Sequence, residues 1–115
     1  LHGKTLKFNK SFRLLCARDY DIVFQQAIKI NHPLASIYAR PNVYSHARLG
    51  LLVSKKAMKR AVARNRIKRL VRESFRAHVT QLKAYDIIFV ARSKIEAVDN
   101  KEVFNTLDEL WTQLT

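Results

Sequence analysis

Arg64-Asn65-Arg66-Ile67-Lys68-Arg69-Leu70-Val71-Arg72-Glu73-Ser74-Phe75-Arg76 is the stretch on which the reading of this sequence turns. Its apolar residues recur at helical spacing. Ala63, Ile67, Leu70, Val71, Ser74 and Phe75 share one side, and the pattern runs from about Met58 to Val79, which predicts an amphipathic helix with that side against a core. At about 100° per residue, Asn65, Lys68, Arg69, Arg72 and Arg76 fall opposite Ile67 and form a ridge facing solvent. Arg60 and Arg64 project near the edge of the apolar stripe, so their stems are expected to pack on the neighbouring layer.

Between Lys55 and Arg76 there are ten Lys or Arg against one acid, Glu73. Lys68 and Arg72 stand one turn apart and Arg69 and Arg76 two turns apart, so like charges are stacked where a structural helix would alternate signs. That arrangement costs stability unless an anion neutralises it. Arginine outnumbers lysine six to four in this segment, and a guanidinium can bridge two phosphate oxygens or stack on a base where an ammonium is a point charge. Asn65 can donate to and accept from sugar or base edges. The segment predicts a nucleic-acid contact, with RNA preferred over DNA only weakly on these grounds.

Outward from this helix, Tyr85 to Arg92 is nearly continuous in apolar residues, which predicts a strand buried on both faces and central in its sheet. Two further strands are expected before the helix, at Leu34 to Arg40 and His46 to Ser54. The residues between them, Pro41-Asn42-Val43-Tyr44-Ser45, predict a hairpin. Residues 14 to 30 space Leu14, Leu15, Ala17, Ile22, Val23, Phe24, Ala27 and Ile30 closer to a helix than to an alternating strand, up to the break at His32-Pro33. A first helix is therefore expected around residues 18 to 27. Asp99 followed three positions later by Glu102 reads as a capping box, and Val103, Leu107, Leu110, Trp111 and Leu114 form the stripe of a last helix. The order α-β-β-α-β-α predicts an α+β two-layer sandwich with helices packed on a small mixed sheet.

The 115 residues fit a single domain. Residues 1–10 are expected to be flexible, and Leu1 to Lys4 carry no weight because Leu1 is not the expected native start. A formal net charge of +13, from 22 Lys+Arg against 9 Asp+Glu, is tolerated when a polyanion neutralises it. The charge is segregated, since residues 95 to 115 hold five acids and one base. With 48% hydrophobic residues, the charge is displayed on something folded and not on a disordered tail. A membrane surface is the weaker alternative, because the basic segment is also the best core-packing helix, and no apolar run approaches the ~20 residues of a span. Cys16 is the only cysteine, which excludes an internal disulfide or a cysteine-built zinc site and fits a reducing cytoplasm.

The Arg64 to Glu73 segment, preceded by Gly50-Leu51-Leu52-Val53-Ser54-Lys55-Lys56, resembles the signature of the bacterial ribonuclease P protein component family. The resemblance extends to Phe12-Arg13-Leu14-Leu15, to Val90-Ala91-Arg92 and to Leu110-Trp111, and so covers nearly the whole chain. It implies the RNA-binding subunit of an endoribonuclease that removes 5′ leaders from precursor tRNA, with the catalytic centre and its Mg²⁺ ions in the RNA subunit. It implies a monomeric protein, no catalytic residue in this chain, and a left-handed βαβ crossover like that of a small-subunit ribosomal protein domain, which general handedness rules would disfavour. Carried over by position, Lys55, Lys56, Arg60, Arg64, Asn65, Arg66, Lys68, Arg69 and Arg72 are expected to bind the catalytic RNA. Tyr20, Phe24 and Tyr38, with Arg13, are expected to line a cleft for the leader. Tyr20 and Phe24 are four apart on the first helix and share a face, and single-stranded bases stack on such rings with little sequence preference. Core packing is the alternative for these rings, most of all for Phe24. Members of the family often have Phe where this chain has Tyr20, whose hydroxyl is expected to add a polar contact.

His2, His32, His46 and His78 lack metal-ligand spacing. Asp19 and Asp21 lie two apart on the first helix and so diverge, where a two-metal site needs converging carboxylates. Asp86 is expected to pair with a cation of the basic helix. A general or ribosomal RNA-binding protein and an autonomous metal-dependent nuclease are the competing readings, the second disfavoured by the missing carboxylate cluster.

Overall fold

The computed structural model describes residues 10–115. The stretch expected to be flexible, residues 1–10, lies outside the described residues except for Lys10, which opens a 3-10 turn over Lys10–Phe12. Seven regular elements follow: α1 (Ala17–Gln26), β1 (Ile28–Asn31), β2 (Ala35–Pro41), β3 (Arg48–Leu52), α2 (Ala61–His78), β4 (Tyr85–Ala91) and α3 (Asn100–Thr112). The α+β architecture is as expected, with a mixed sheet ordered β1-β2-β4-β3.

β4 is central, between antiparallel β2 and parallel β3. Its run Asp86-Ile87-Ile88-Phe89 is buried throughout, because both faces of the strand are covered. Ile87 and Phe89 join the main core with Ile67, Leu70, Val71 and Phe75 of α2 and Val103, Leu107 and Trp111 of α3. On the opposite face Ile88 meets Leu14 and Val23, with α1 lying over part of the sheet. Each large apolar side chain withdrawn from water contributes roughly 1.5–3 kcal/mol, so the α2/α3 layer dominates the stability and α1 is the lesser cover.

Two expectations are corrected. The hairpin expected across residues 41–45 does not form. β2 takes β1 on one side and β4 on the other, and β3 pairs with β4, so β4 lies between the two strands that were expected to pair. A strand apolar on both faces has to lie inside the sheet, and β4 takes the place beside β2 that a hairpin would have given β3. The second correction is β1 itself, read with the first helix in the sequence. The backbone turns extended at Ala27 (φ −81°, ψ 148°), and Ile28–Asn31 pairs in register with Ser36–Ala39. Four residues alternating Ile-Lys-Ile-Asn give little local signal, and pairing with β2 supplies the rest.

α3 begins as expected: Asp99 Oδ1 accepts the Glu102 N–H at 2.9 Å, satisfying one of the orphan donors of the first turn. α3 is locked to α2 by Trp111, whose indole N–H donates to Ser74 Oγ at 2.9 Å and whose ring meets Phe75 edge to face. This packing turns the opposite side of α2 outward.

Candidate nucleic-acid interface

On α2, Ala63, Ile67, Leu70, Val71, Ser74 and Phe75 are buried and Asn65, Arg69 and Arg72 are exposed, with Lys68 and Arg76 half-buried between. The ridge read from the sequence is thus present. Lys55, Lys56 and Arg60 are exposed in the connection from β3 to α2. Arg60 approaches Glu96 at 3.7 Å, but this pair is solvent-exposed and of little energetic weight.

Arg64 and Arg66 behave differently from the rest of the basic set. Arg64 Nη1 donates to the carbonyl oxygens of Met58 and Lys59 at 2.9 and 2.8 Å, tying the incoming loop to the first turn of α2. Arg66 donates from Nε to Asn100 Oδ1 at 2.9 Å and from Nη2 to the Val98 carbonyl at 2.7 Å, clamping the start of α3. These two guanidiniums satisfy backbone and side-chain acceptors within the fold. Asn65 between them is exposed with the ridge.

Arg13 lies away from the rings with which it was grouped. It joins Arg69, Arg72 and Arg76 around a cavity of about 380 Å³. The reason is the period-2 alternation of an extended segment. Leu14 turns to the α1 side with Val23 and Ile88. Arg13, bridged to Leu49 beside the outer edge of β3, turns to the α2 side.

Tyr20, Phe24 and Tyr38 do come together, on the α1 face of the sheet. Tyr20 and Tyr38 pack beside Val23 and Ile88. Phe24 is 41% exposed and meets Tyr38 edge to face, with ring centroids 4.8 Å apart. The Tyr20 hydroxyl accepts the Leu51 N–H at 3.1 Å, so its polar contact is made within the protein. Lys29, opposite Tyr38 in the β1–β2 register, holds its ammonium 5.3 Å from the Tyr38 ring. The sequence reading missed Lys29, because seeing it on this face requires β1.

Beyond these rings, past the carboxyl ends of parallel β3 and β4, a cavity of about 780 Å³ is lined by His32, Ser54, Lys56, Arg92 and Lys94 among others. Arg92 is held there by Asn31 Oδ1 at 3.0 Å and Ser36 Oγ at 2.7 Å. The face therefore carries aromatic surface with cations at its border, a combination suited to a flexible polyanion with exposed bases.

Asp86 does not pair with the basic helix. In register with Arg48 and Arg40 it points to the α1 face, whereas α2 covers the other. Its carboxylate accepts Arg48 Nε at 2.8 Å and Nη2 at 2.7 Å, and Asn42 Nδ2 at 2.9 Å. These hydrogen bonds hold the Arg48 guanidinium pKa above the usual arginine range, outweighing the opposing effect of its burial. Arg48 in turn lies 4.4 Å from the Tyr44 ring.

Among the described residues, no three of His, Cys, Asp and Glu gather where they could hold a metal ion. Asp19 Oδ2 accepts the Leu15 N–H at 3.1 Å at the start of α1. His32 bridges the Leu34 N–H and Glu109, His46 packs on Phe12, and His78 meets the Ser74 carbonyl and Asp108. No helix among the described residues is long and apolar enough to cross a membrane.

Fold and surfaces together define a class: a small, strongly basic α+β protein with an arginine-faced helix on one side of its sheet and a partly exposed cluster of aromatic rings on the other. Comparison with known proteins gives the family. The family model for ribonuclease P matches residues 8–115. The ribonuclease P protein component of Vibrio cholerae is 47% identical over 111 residues, covering 96% of this chain and 94% of that protein. That of Histophilus somni is 44% identical over 106 residues, covering 92% and 89%. Among solved structures, the Staphylococcus aureus RNase P protein superposes with a TM-score of 0.85 at 30% identity, covering 90% of this chain and 95% of the other. The Thermotoga maritima RNase P protein gives 0.80 at 29% identity, covering 90% and 97%. The chain belongs to the ribonuclease P protein family, whose members are the protein subunit of that endoribonuclease.

Proposed function

We propose that this subunit works through two separate surfaces. The outward face of α2 and the Lys55–Arg60 loop take phosphates of the catalytic RNA, and the groove of Tyr20, Phe24 and Tyr38 takes the single-stranded 5′ leader of precursor tRNA. The observation that carries this reading is the placement of the two residue sets on opposite faces of one sheet. A helix face rich in arginine and poor in acid matches a folded RNA backbone. Partly exposed rings bordered by Lys29 and Arg92 match unpaired bases of variable sequence.

On this reading the protein is a monomer that supplies affinity and positioning and no catalytic group. The Mg²⁺ ions implied by the family resemblance belong with the RNA, and the protein helps them by neutralising neighbouring phosphates. Its place of work is the cytoplasm.

Reconstitution of the full chain with its cognate RNA and a precursor tRNA at low Mg²⁺ tests the reading. Cleavage is expected to be stimulated by the protein and absent with protein alone. Cleavage by protein alone, or equal binding of ribosomal RNA and the catalytic RNA, would contradict it.

A further inference from the structure

Three arginines of α2 and one from outside it converge on a single cavity. Arg69, Arg72 and Arg76 stand at i, i+3 and i+7 on one stripe of the helix, and Arg13 completes the lining of the ~380 Å³ space. Arg13 is positioned by backbone pairing: Leu14 N–H donates to the Leu49 carbonyl at 3.0 Å, and Arg13 itself bridges to Leu49. The cavity therefore has walls from two elements that the sheet holds in register.

Like charges gathered in this way repel one another, and among the described residues no ion pair joins an acid to Arg69, Arg72 or Arg76. Arg76 Nε is in addition buried without a hydrogen-bond partner. A buried donor left unsatisfied costs free energy unless something accepts from it. The bases at the other end of the helix differ, since Arg64 and Arg66 already donate to acceptors of the fold.

We propose that Arg13, Arg69, Arg72 and Arg76 form one built phosphate pocket, in which a backbone phosphate of the catalytic RNA bridges the segment before α1 to the carboxyl-terminal half of α2. The proposal rests on the reading of α2 as the catalytic-RNA face and deepens it. Guanidinium groups can give an anionic oxygen two parallel N–H bonds each, so four converging forks recognise a tetrahedral dianion or a pair of neighbouring phosphodiesters. The RNA contact thus extends past the Arg64-Asn65-Arg66 corner and includes a residue outside the helix.

The test has two arms. In the first, the full chain is titrated with inorganic phosphate while the arginine Nε–Hε signals are followed by NMR. Saturable shifts are expected for Arg13, Arg69, Arg72 and Arg76 and not for Arg64 or Arg66, and Arg76→Gln should abolish the shift at Arg13. Parallel, unsaturable drift of all arginine signals would overturn the pocket. In the second arm, assembly with the catalytic RNA is measured against salt. Arg13→Gln and Arg76→Gln should each reduce the slope of log affinity by roughly 0.7–0.9, about a threefold smaller loss between 50 and 200 mM salt. Arg76→Lys, which keeps the charge if Arg76→Gln fails to fold, should restore most of the slope without restoring the affinity. Unchanged slopes with normal RNA binding would sink the pocket and leave the wider reading of α2 standing, whereas failure of the unsubstituted chain to bind the RNA would sink that wider reading.

Discussion

Tyr20 and Leu51 are joined by a hydrogen bond of 3.1 Å, from the Leu51 N–H to the Tyr20 hydroxyl, that fixes an α1 ring against the β3 backbone. The ring can lie there only because residue 50 has no side chain. A Cβ at Gly50 would sit 2.7 Å from Tyr20 Cζ. Gly50→Ala is therefore expected to displace the ring and to destabilise the protein by about 1–3 kcal/mol, as read by urea denaturation. The preference of the holoenzyme for leader-bearing over mature tRNA should fall with it. A preference that survived the substitution would remove Tyr20 from the groove.

Arg64→Ala and Arg66→Ala should each lower the stability of the protein alone, by about 1–3 kcal/mol, because each side chain makes charge-assisted bonds to acceptors of the fold. Arg69→Ala and Arg72→Ala should leave the thermal midpoint nearly unchanged and instead flatten the salt dependence of RNA assembly by roughly 0.7–0.9 per residue. Comparing thermal melts with salt titrations across the four variants separates the two roles. The same effect in all four would contradict the division.

Asp86→Ala should cost on the order of 3 kcal/mol, since it strands the Arg48 guanidinium in a site where only 15% of that side chain is exposed. The sign of the pH dependence follows from Arg48. Its pKa is raised by Asp86 in the folded state, so its contribution is fully present below the unfolded arginine pKa and is lost only as pH rises through the higher folded value. The difference in denaturation midpoint between the native chain and Asp86→Ala should stay flat from pH 6 to 9.

Ser74→Ala should destabilise by about 1–3 kcal/mol, because it leaves the buried Trp111 indole N–H without an acceptor. The loss should appear in a calorimetric melt of the free protein. RNA affinity under conditions where the variant is folded should be unaffected, as Ser74 faces the core.

Elements whose cause is local were legible in the sequence. The stripe from Ala63 to Phe75 specifies its own helix, Asp99 caps its own turn, and the apolar run at Tyr85 to Ala91 requires cover on both faces wherever it lies. What escaped depends on pairing between distant segments. β1 has four alternating residues and needs β2 to exist, and the true neighbour of β2 is set by β4, which lies more than forty residues further along. The same limit governs the site. Phe24 touches Tyr38, and Tyr20 and Tyr38 pack on one cluster, while the side of the sheet reached by Arg13 and the partner chosen by Asp86 follow from strand register. A count of basic residues likewise does not distinguish Arg64 and Arg66, which brace the fold, from Arg69 and Arg72, which face outward.

The central claim is that two surfaces serve two RNAs, and Phe24 tests it most directly because its ring is the exposed member of the groove. The measurement is the affinity of holoenzyme reconstituted with Phe24→Ala for precursor tRNA and for mature tRNA, beside Arg72→Ala. Loss of one base stack should weaken precursor binding roughly 5- to 150-fold with mature tRNA and RNA assembly unchanged, while Arg72→Ala should weaken assembly alone. Equal losses for precursor and mature tRNA with Phe24→Ala would return the ring to a packing role and contradict the account.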